Sequence, residues 1–190
     1  LKSEVLDLPP KIHYTEYVEN TVYQQKLYND VLNGIMSEKI DIVASLNPLA
    51  RFLRLRQVNG SPELIDNSLK VDKKYLTLNA KMRRLLDLLE EIYDRGEKVI
   101  VFSSWVEPLR TIYRVIGKKY NVATYTGTMK GDDREAQKQK FINDPKCTVI
   151  LGTIGALGTM HTLTVARNVI FYDEPWNATD KAQAEDRAYR

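Results

Sequence analysis

The chain has 190 residues, 43% hydrophobic and 28% charged, a balance that excludes a disordered tail and admits one ordinary domain, or one domain with a small appendage. The formal net charge of +3 is mildly basic; it permits a polyanion partner without demanding one, and dedicated nucleic-acid modules are far more basic. One cysteine, Cys147, excludes an internal disulfide, two histidines far apart, His13 and His161, exclude a histidine metal cluster, and no apolar run approaches the roughly 18 residues of a membrane span.

The opening "LKSEVLDLPP" has no signal-peptide apolar region. The missing initiator methionine and the abrupt close lead us to expect a piece of a longer protein. In chain order, "TVYQQKLYNDVLNG" predicts a helix with Val22, Leu27, Val31 and Leu32 on one stripe, stopped at Gly34. "NPLARFLRLRQV" predicts a second, with Asn47 as N-cap and Pro48 at the first position. Its arginines Arg51, Arg54 and Arg56 read as a solvated face, opposite Leu49, Phe52, Leu53 and Val58. "VNGSPEL" then breaks the chain.

From residue 79 the pattern becomes regular. Asn79 caps "AKMRRLLDLLEEIYDR" and Gly96 stops it. Strands are predicted at "KVIVFSS", "NVATYT", "CTVILGT" and "RNVIFYDEP", and helices at "VEPLRTIYRVIGKKY", "DDREAQKQKFIND" and "ATDKAQAEDRAYR". Short apolar strands alternating with helices indicate βαβ units, an α/β fold with a mostly parallel sheet. Ligands of such sheets bind at the carboxyl ends of the strands. Those ends are "SSW", "TGT", "GTIGALGT" and "DEPWN".

Several of these stretches have the composition of a binding site. "VIFYDEPW" ends an apolar strand on Asp173 and Glu174, as the magnesium-holding strand of a nucleotide hydrolase does. That site needs a phosphate loop of the form G-x-x-x-x-G-K-[ST], and the chain has none; in "IGKKY" Lys119 stands where Ser or Thr is required. No metal ligands are therefore assigned, and the Asp-Glu pair reads as a polar strand end facing solvent or a neighbouring loop. "GTIGALGT" and "TGTMKG" read equally as tight turns or as backbone that approaches a phosphate. Trp105 and Trp176, each after a strand, read as core lids before base-stacking platforms, and His161 as structural. Arg187 and Arg190 are three apart in "QAEDRAYR", so a helix puts both on one face with Gln183 one turn upstream. An arginine pair with no carboxylate opposite requires an anion.

Taken in register, "FSSW", "TGT…DDREAQKQKFIND", "TIGALGTMHTLT", "FYDEPWN" and "QAEDRAYR" resemble the C-terminal motor lobe of Swi/Snf-type ATPases, superfamily-two DNA translocases. "LPPKIHYTEYVENTVYQQKLY" and "LRLRQVNGSPELI" resemble the family's lead-in strand and helical insertion. The resemblance implies a RecA-like three-layer lobe at 79–190, preceded at 1–78 by the lead-in strand and helical insertion. It implies a DNA-stimulated ATPase in which two lobes sandwich ATP. ATP and its Mg2+ are then held mainly by an N-terminal lobe, and this lobe alone is inactive. The family pattern Q-A-x-D-R-A-H-R matches Gln183, Ala184, Asp186, Arg187, Ala188 and Arg190, with Tyr189 in place of histidine. By resemblance Arg187 and Arg190 are catalytic arginine fingers, and Gln183, Gly155 and Gly158 lie at the nucleotide. Ser103, Ser104, Trp105, Thr128, Thr153 and Trp176 lie at the backbone of double-stranded DNA. Ile154 stands where the family often has a DNA-reaching arginine, and the "GALG" loop is one residue longer than usual. The implied partners are double-stranded DNA and the N-terminal lobe of the same parent chain, with no membrane. The implied location is intracellular, cytoplasmic and nucleoid-associated or nuclear. Two rival readings are a non-catalytic DNA- or protein-binding module that keeps the fold, and an RNA helicase lobe; "LRLRQVNGSPELI" speaks against the second.

Overall fold

The computed structural model of the chain describes residues 10–33, 47–69, 74–157 and 163–188, and the side chains of these up to residue 186. Four parallel strands form one sheet in the order β2-β3-β1-β4: β1 (Val99–Ser103), β2 (Ala123–Tyr125), β3 (Val149–Thr153) and β4 (Asn168–Phe171). All described pairings are parallel, as the βαβ alternation predicts. Around and between the strands lie α1 (Val22–Leu32), α2 (Pro48–Gly60), a short α3 (Tyr75–Leu78), α4 (Ala80–Asp94), α5 (Val106–Tyr120), α6 (Gly131–Asn143), a single turn α7 (Ile154–Leu157) and α8 (Ala178–Ala188).

Alternate residues of β1 and β3 serve opposite faces of the sheet, as the period of two requires. Val99, Val101, Val149 and Leu151 pack with Met82, Leu85, Leu89 and Ile92 of α4 and Leu109, Ile112 and Ile116 of α5. Ile100, Phe102 and Ile150 pack on the other face with Phe141 of α6, Leu157, Leu163 and Ala184 of α8. The result is three layers, helices on both faces of a sheet buried on both sides. Each large apolar side chain taken out of water here contributes about 1.5–3 kcal/mol. The α4 boundaries follow local chemistry. Asn79 Oδ1 accepts from the Met82 N–H at 3.0 Å, and Gly96 closes the far end at φ 68°.

The N-terminal helices have a small core of their own, Leu27 and Val31 of α1 with Val58 and Ile65. The predicted stripe on α1 is half right. Val22 is 90% exposed and Leu32 47% exposed, because α1 touches its neighbours over one narrow line that ends at Val31. Asn47 and Pro48 start α2 as expected. Residues 10–20 carry no regular secondary structure, where the resemblance implies a lead-in strand. A strand requires a neighbour for its N–H and C=O groups, and this segment joins no strand of the sheet.

Buried amides tie these helices to the sheet. Gln24 accepts from the Ala80 N–H at 2.9 Å and donates to the carbonyl of Val58 at 3.1 Å. Asn79 Nδ2 and the Tyr172 hydroxyl both donate to the carbonyl of Gly60, at 2.9 and 2.6 Å. The end of α2 is thereby fixed beside the carboxyl end of β4.

Gly152 sits mid-sheet, paired with Phe102 on one side and Tyr125 on the other. A Cβ there would lie 1.9 Å from Leu157 Cδ1 and 2.9 Å from the Tyr125 carbonyl oxygen. Gly152→Ala is therefore expected to destabilise the chain by about 1–3 kcal/mol through overpacking, lowering the thermal midpoint by about 2–4 °C per kcal/mol. A melting curve that superimposes on the parent's would contradict this account of β3.

Candidate functional site at the carboxyl edge of the sheet

Parallel register brings the four strand ends to one edge. Ser103 ends β1 directly beside Thr153 at the end of β3, with the β2 end next to β3 and the β4 end next to β1. Beyond β2, Thr126 and Thr128 face each other with hydroxyl oxygens 3.0 Å apart; Thr126 is buried and Thr128 exposed. Thr153 is half-buried. Polar groups from non-adjacent parts of the sequence thus converge because the strands are in register.

Of the two places expected for Asp173, solvent or a neighbouring loop, the structure has the second: it is buried and organises the loop after β1. Ser103 Oγ donates to one carboxylate oxygen, and the Ser104 N–H donates to the other at 2.8 Å. The Trp105 N–H in turn donates to Ser103 Oγ at 3.2 Å. Ser103 is fully buried and its hydroxyl is committed to Asp173, while Ser104 is half-buried. The physical reason is that β4 lies beside β1, so a carboxylate just beyond β4 reaches the Ser103 hydroxyl and the Ser104 N–H at the β1 turn. Burial pushes the Lys81 amine below its usual range, the Asp173 carboxylate opposes that shift and Arg56 adds to it. Glu174 is exposed and accepts from Lys181 at 2.6 Å.

Arg56 and the two tryptophans depart from expectation. Arg56 does not belong to a solvated face. Its guanidinium carbon lies 4.4 Å from the ring centroid of Trp176 and 5.1 Å from that of Trp105, and Nη2 donates to the Glu174 carbonyl. Phe52, one turn before Arg56 on α2, meets Trp176 at 5.3 Å between centroids. Trp105 is half-buried, while Trp176 is 57% exposed and so is no core lid. Nothing local in the sequence marks this cluster, because its parts come from three separate elements.

The remaining candidates are placed as follows. The stretch after β3 folds into the helical turn α7 and not an open loop, and Gly155 within it is exposed with free space where a Cβ would go. Gln183 is exposed on α8, and Arg187 belongs to the same helix. Gly158, His161 and Arg190 lie outside the described residues. Lys11 forms an ion pair with Asp186 at 2.7 Å, so the segment before α1 reaches the helix that carries Arg187. Among the described residues no group of three or more His, Cys, Asp or Glu could hold a metal ion, and no described helix is long and apolar enough to cross a membrane. With Asp173 turned inward to Ser103 and Ser104, the described residues do not fit a resident magnesium ion.

The family model for the helicase conserved C-terminal domain matches residues 80–190. An uncharacterized ATP-dependent helicase of Mycoplasma pneumoniae is 30% identical over 195 residues, covering 100% of this chain; the chain spans 18% of that relative's length. The Sulfolobus solfataricus SWI2/SNF2 ATPase core in complex with dsDNA is 28% identical, with a TM-score of 0.77, over 100% of this chain and 40% of that one. The C-terminal domain of the Sulfolobus solfataricus SWI2/SNF2 ATPase is 26% identical, with a TM-score of 0.68, over 85% of this chain and 72% of that one.

Proposed function

Because the chain belongs to the helicase conserved C-terminal domain family, with a RecA-like fold matching SWI2/SNF2 C-terminal lobes, we infer that it is the C-terminal half of a DNA-stimulated ATPase that translocates on duplex DNA. The observation that carries this reading is the single edge where Thr128, Thr153, Ser104 and Trp176 gather from four strand ends. A solved relative of the same fold, the Sulfolobus solfataricus SWI2/SNF2 ATPase core, is a complex with dsDNA. In this reading the hydroxyls contact phosphates. Such contacts position a protein without reading sequence, so tracking is sequence-independent. Arg187 and Arg190 act on ATP that a second lobe holds together with its Mg2+. Guanidinium groups suit that role, since each offers a rigid fork of donors to phosphate oxygens. The bound nucleotide supplies the energy; the residues of this lobe supply charge stabilisation at the phosphates and a grip on the DNA that changes as the lobes close and open.

Two measurements test this. The 190-residue chain, mixed with magnesium-ATP and duplex DNA, is expected to show no DNA-stimulated turnover, because it contributes neither a phosphate loop nor a metal ligand set. Turnover comparable to an intact motor would overturn the split-site reading. In a binding titration the chain is expected to hold duplex DNA weakly. Affinity should be indifferent to sequence and fall with log[salt] by about 0.9 per phosphate neutralised. Strong preference for one sequence, or affinity unchanged by salt, would refute backbone tracking.

A further inference from the structure

We propose that Arg56 is a positioning residue for this edge: its guanidinium fixes the indoles of Trp105 and Trp176, and through them the way Trp176 meets duplex DNA. The proposal rests on the DNA-binding reading above. A guanidinium can stack by its faces while its edge donates hydrogen bonds. Arg56 uses both. It lies over the two indoles at 5.1 and 4.4 Å, and its Nη2 donates to the carbonyl of Glu174. The segment from Tyr172 to Asn177, which carries Trp176, has no regular secondary structure and depends on such contacts for its shape. Phe52 supports the Trp176 ring from the same helix, with planes inclined at 59°. The end of α2 is itself anchored, by the Tyr172 and Asn79 donors on Gly60. A rigid support thus reaches across from the N-terminal helices to both tryptophan-bearing turns. The contact also explains why Arg56 is drawn inward. With its charge over two rings and its fork on a backbone carbonyl, Arg56 is engaged within the protein and is not offered to a phosphate.

Trp105 and Trp176 are the chain's two tryptophans, so its indole fluorescence reports this cluster alone. The test compares the parent chain with Arg56→Ala, Arg56→Lys, Trp176→Ala and the Arg56→Ala/Trp176→Ala pair, each checked for folding by circular dichroism. Both Arg56 variants are expected to red-shift the emission and raise acrylamide quenching. Both should weaken binding to a short labelled duplex at low salt by about two- to thirty-fold, the range a cation–π contact spans. In the Trp176→Ala background, Arg56→Ala is expected to add no further loss. If Arg56→Ala does not fold, Arg56→Lys, which keeps stem and charge, decides alone. Parent-level binding by Arg56→Lys would mean a direct charge contact and would overturn the proposal. Equal losses with and without Trp176, or fluorescence unchanged in the Arg56 variants, would also overturn it. A parent chain that binds no duplex refutes the DNA reading instead, while the fluorescence still decides whether Arg56 holds the rings.

Discussion

Replacing Arg187 or Arg190 by alanine in the two-lobe protein is expected to lower ATP turnover by on the order of 10³ or more for at least one of the two, with duplex binding and thermal stability near the parent's. Phosphoryl transfer leaves little covalent work to the protein; it depends on charge placed against the phosphate oxygens as the bond breaks. A guanidinium aimed at that position is worth far more than one on a solvated surface, where an ion pair contributes about 0–1 kcal/mol. The local surroundings sharpen the contrast. Asp186, next to Arg187 in sequence, is paired with Lys11, and Glu185 lies within reach of Lys11 and His13. Both acidic neighbours of Arg187 therefore have cationic partners from the N-terminal segment. Steady-state ATPase assays on the two single variants, with saturating DNA, check the expectation. Turnover within a few-fold of the parent in both would remove the arginine-finger role.

Asp173→Ala is expected to destabilise the lobe by about 2–5 kcal/mol, since it leaves a buried hydroxyl and a backbone N–H without their acceptor and removes a negative charge near Lys81. Ser103 Oγ and the Ser104 N–H both lose their partner in one step, and Lys81 loses a favourable electrostatic influence. The thermal midpoint should fall by about 2–4 °C per kcal/mol. Asp173→Asn, which keeps one acceptor oxygen, should lie between the alanine variant and the parent. A midpoint for Asp173→Ala equal to the parent's would mean that water replaces the carboxylate without cost and that Asp173 does not hold the β1 turn. A metal-ligand role would give a different result: a thermal midpoint that moves with magnesium, which the inward geometry does not predict.

Much of the fold could be read from sequence because its determinants are local or periodic. Asn79 and Gly96 bound α4 through cap chemistry within a few residues, and Asn47 with Pro48 starts α2 in the same way. The runs at 99–103 and 149–153 are apolar at nearly every position, which is the mark of strands covered on both faces. The alternation of such runs with amphipathic helices dictates parallel pairing, and parallel pairing dictates that Ser103, Thr128, Thr153 and Asp173 end on one edge. Of the arginine motif, Arg187 falls on α8, as the predicted closing helix requires.

What the sequence could not determine is which of these groups spend their chemistry inside the protein. Asp173, Ser103 and Arg56 are polar residues at strand ends or on a helix flank, and nothing in their sequence neighbours names the partners they meet. Their partners are far away along the chain. Ser103 and Asp173 meet because β1 and β4 are adjacent, and Arg56 meets Trp105 and Trp176 because the Tyr172 and Asn79 hydrogen bonds to Gly60 bring α2 against that edge. Val22 and Leu32 fail in the opposite sense, apolar residues left exposed because α1 packs on the described residues through Leu27 and Val31. Local propensity and periodicity depend on covalent neighbours and are written into the sequence; whether a donor or a ring is buried depends on which distant surface covers it, and only the packed tertiary structure decides that.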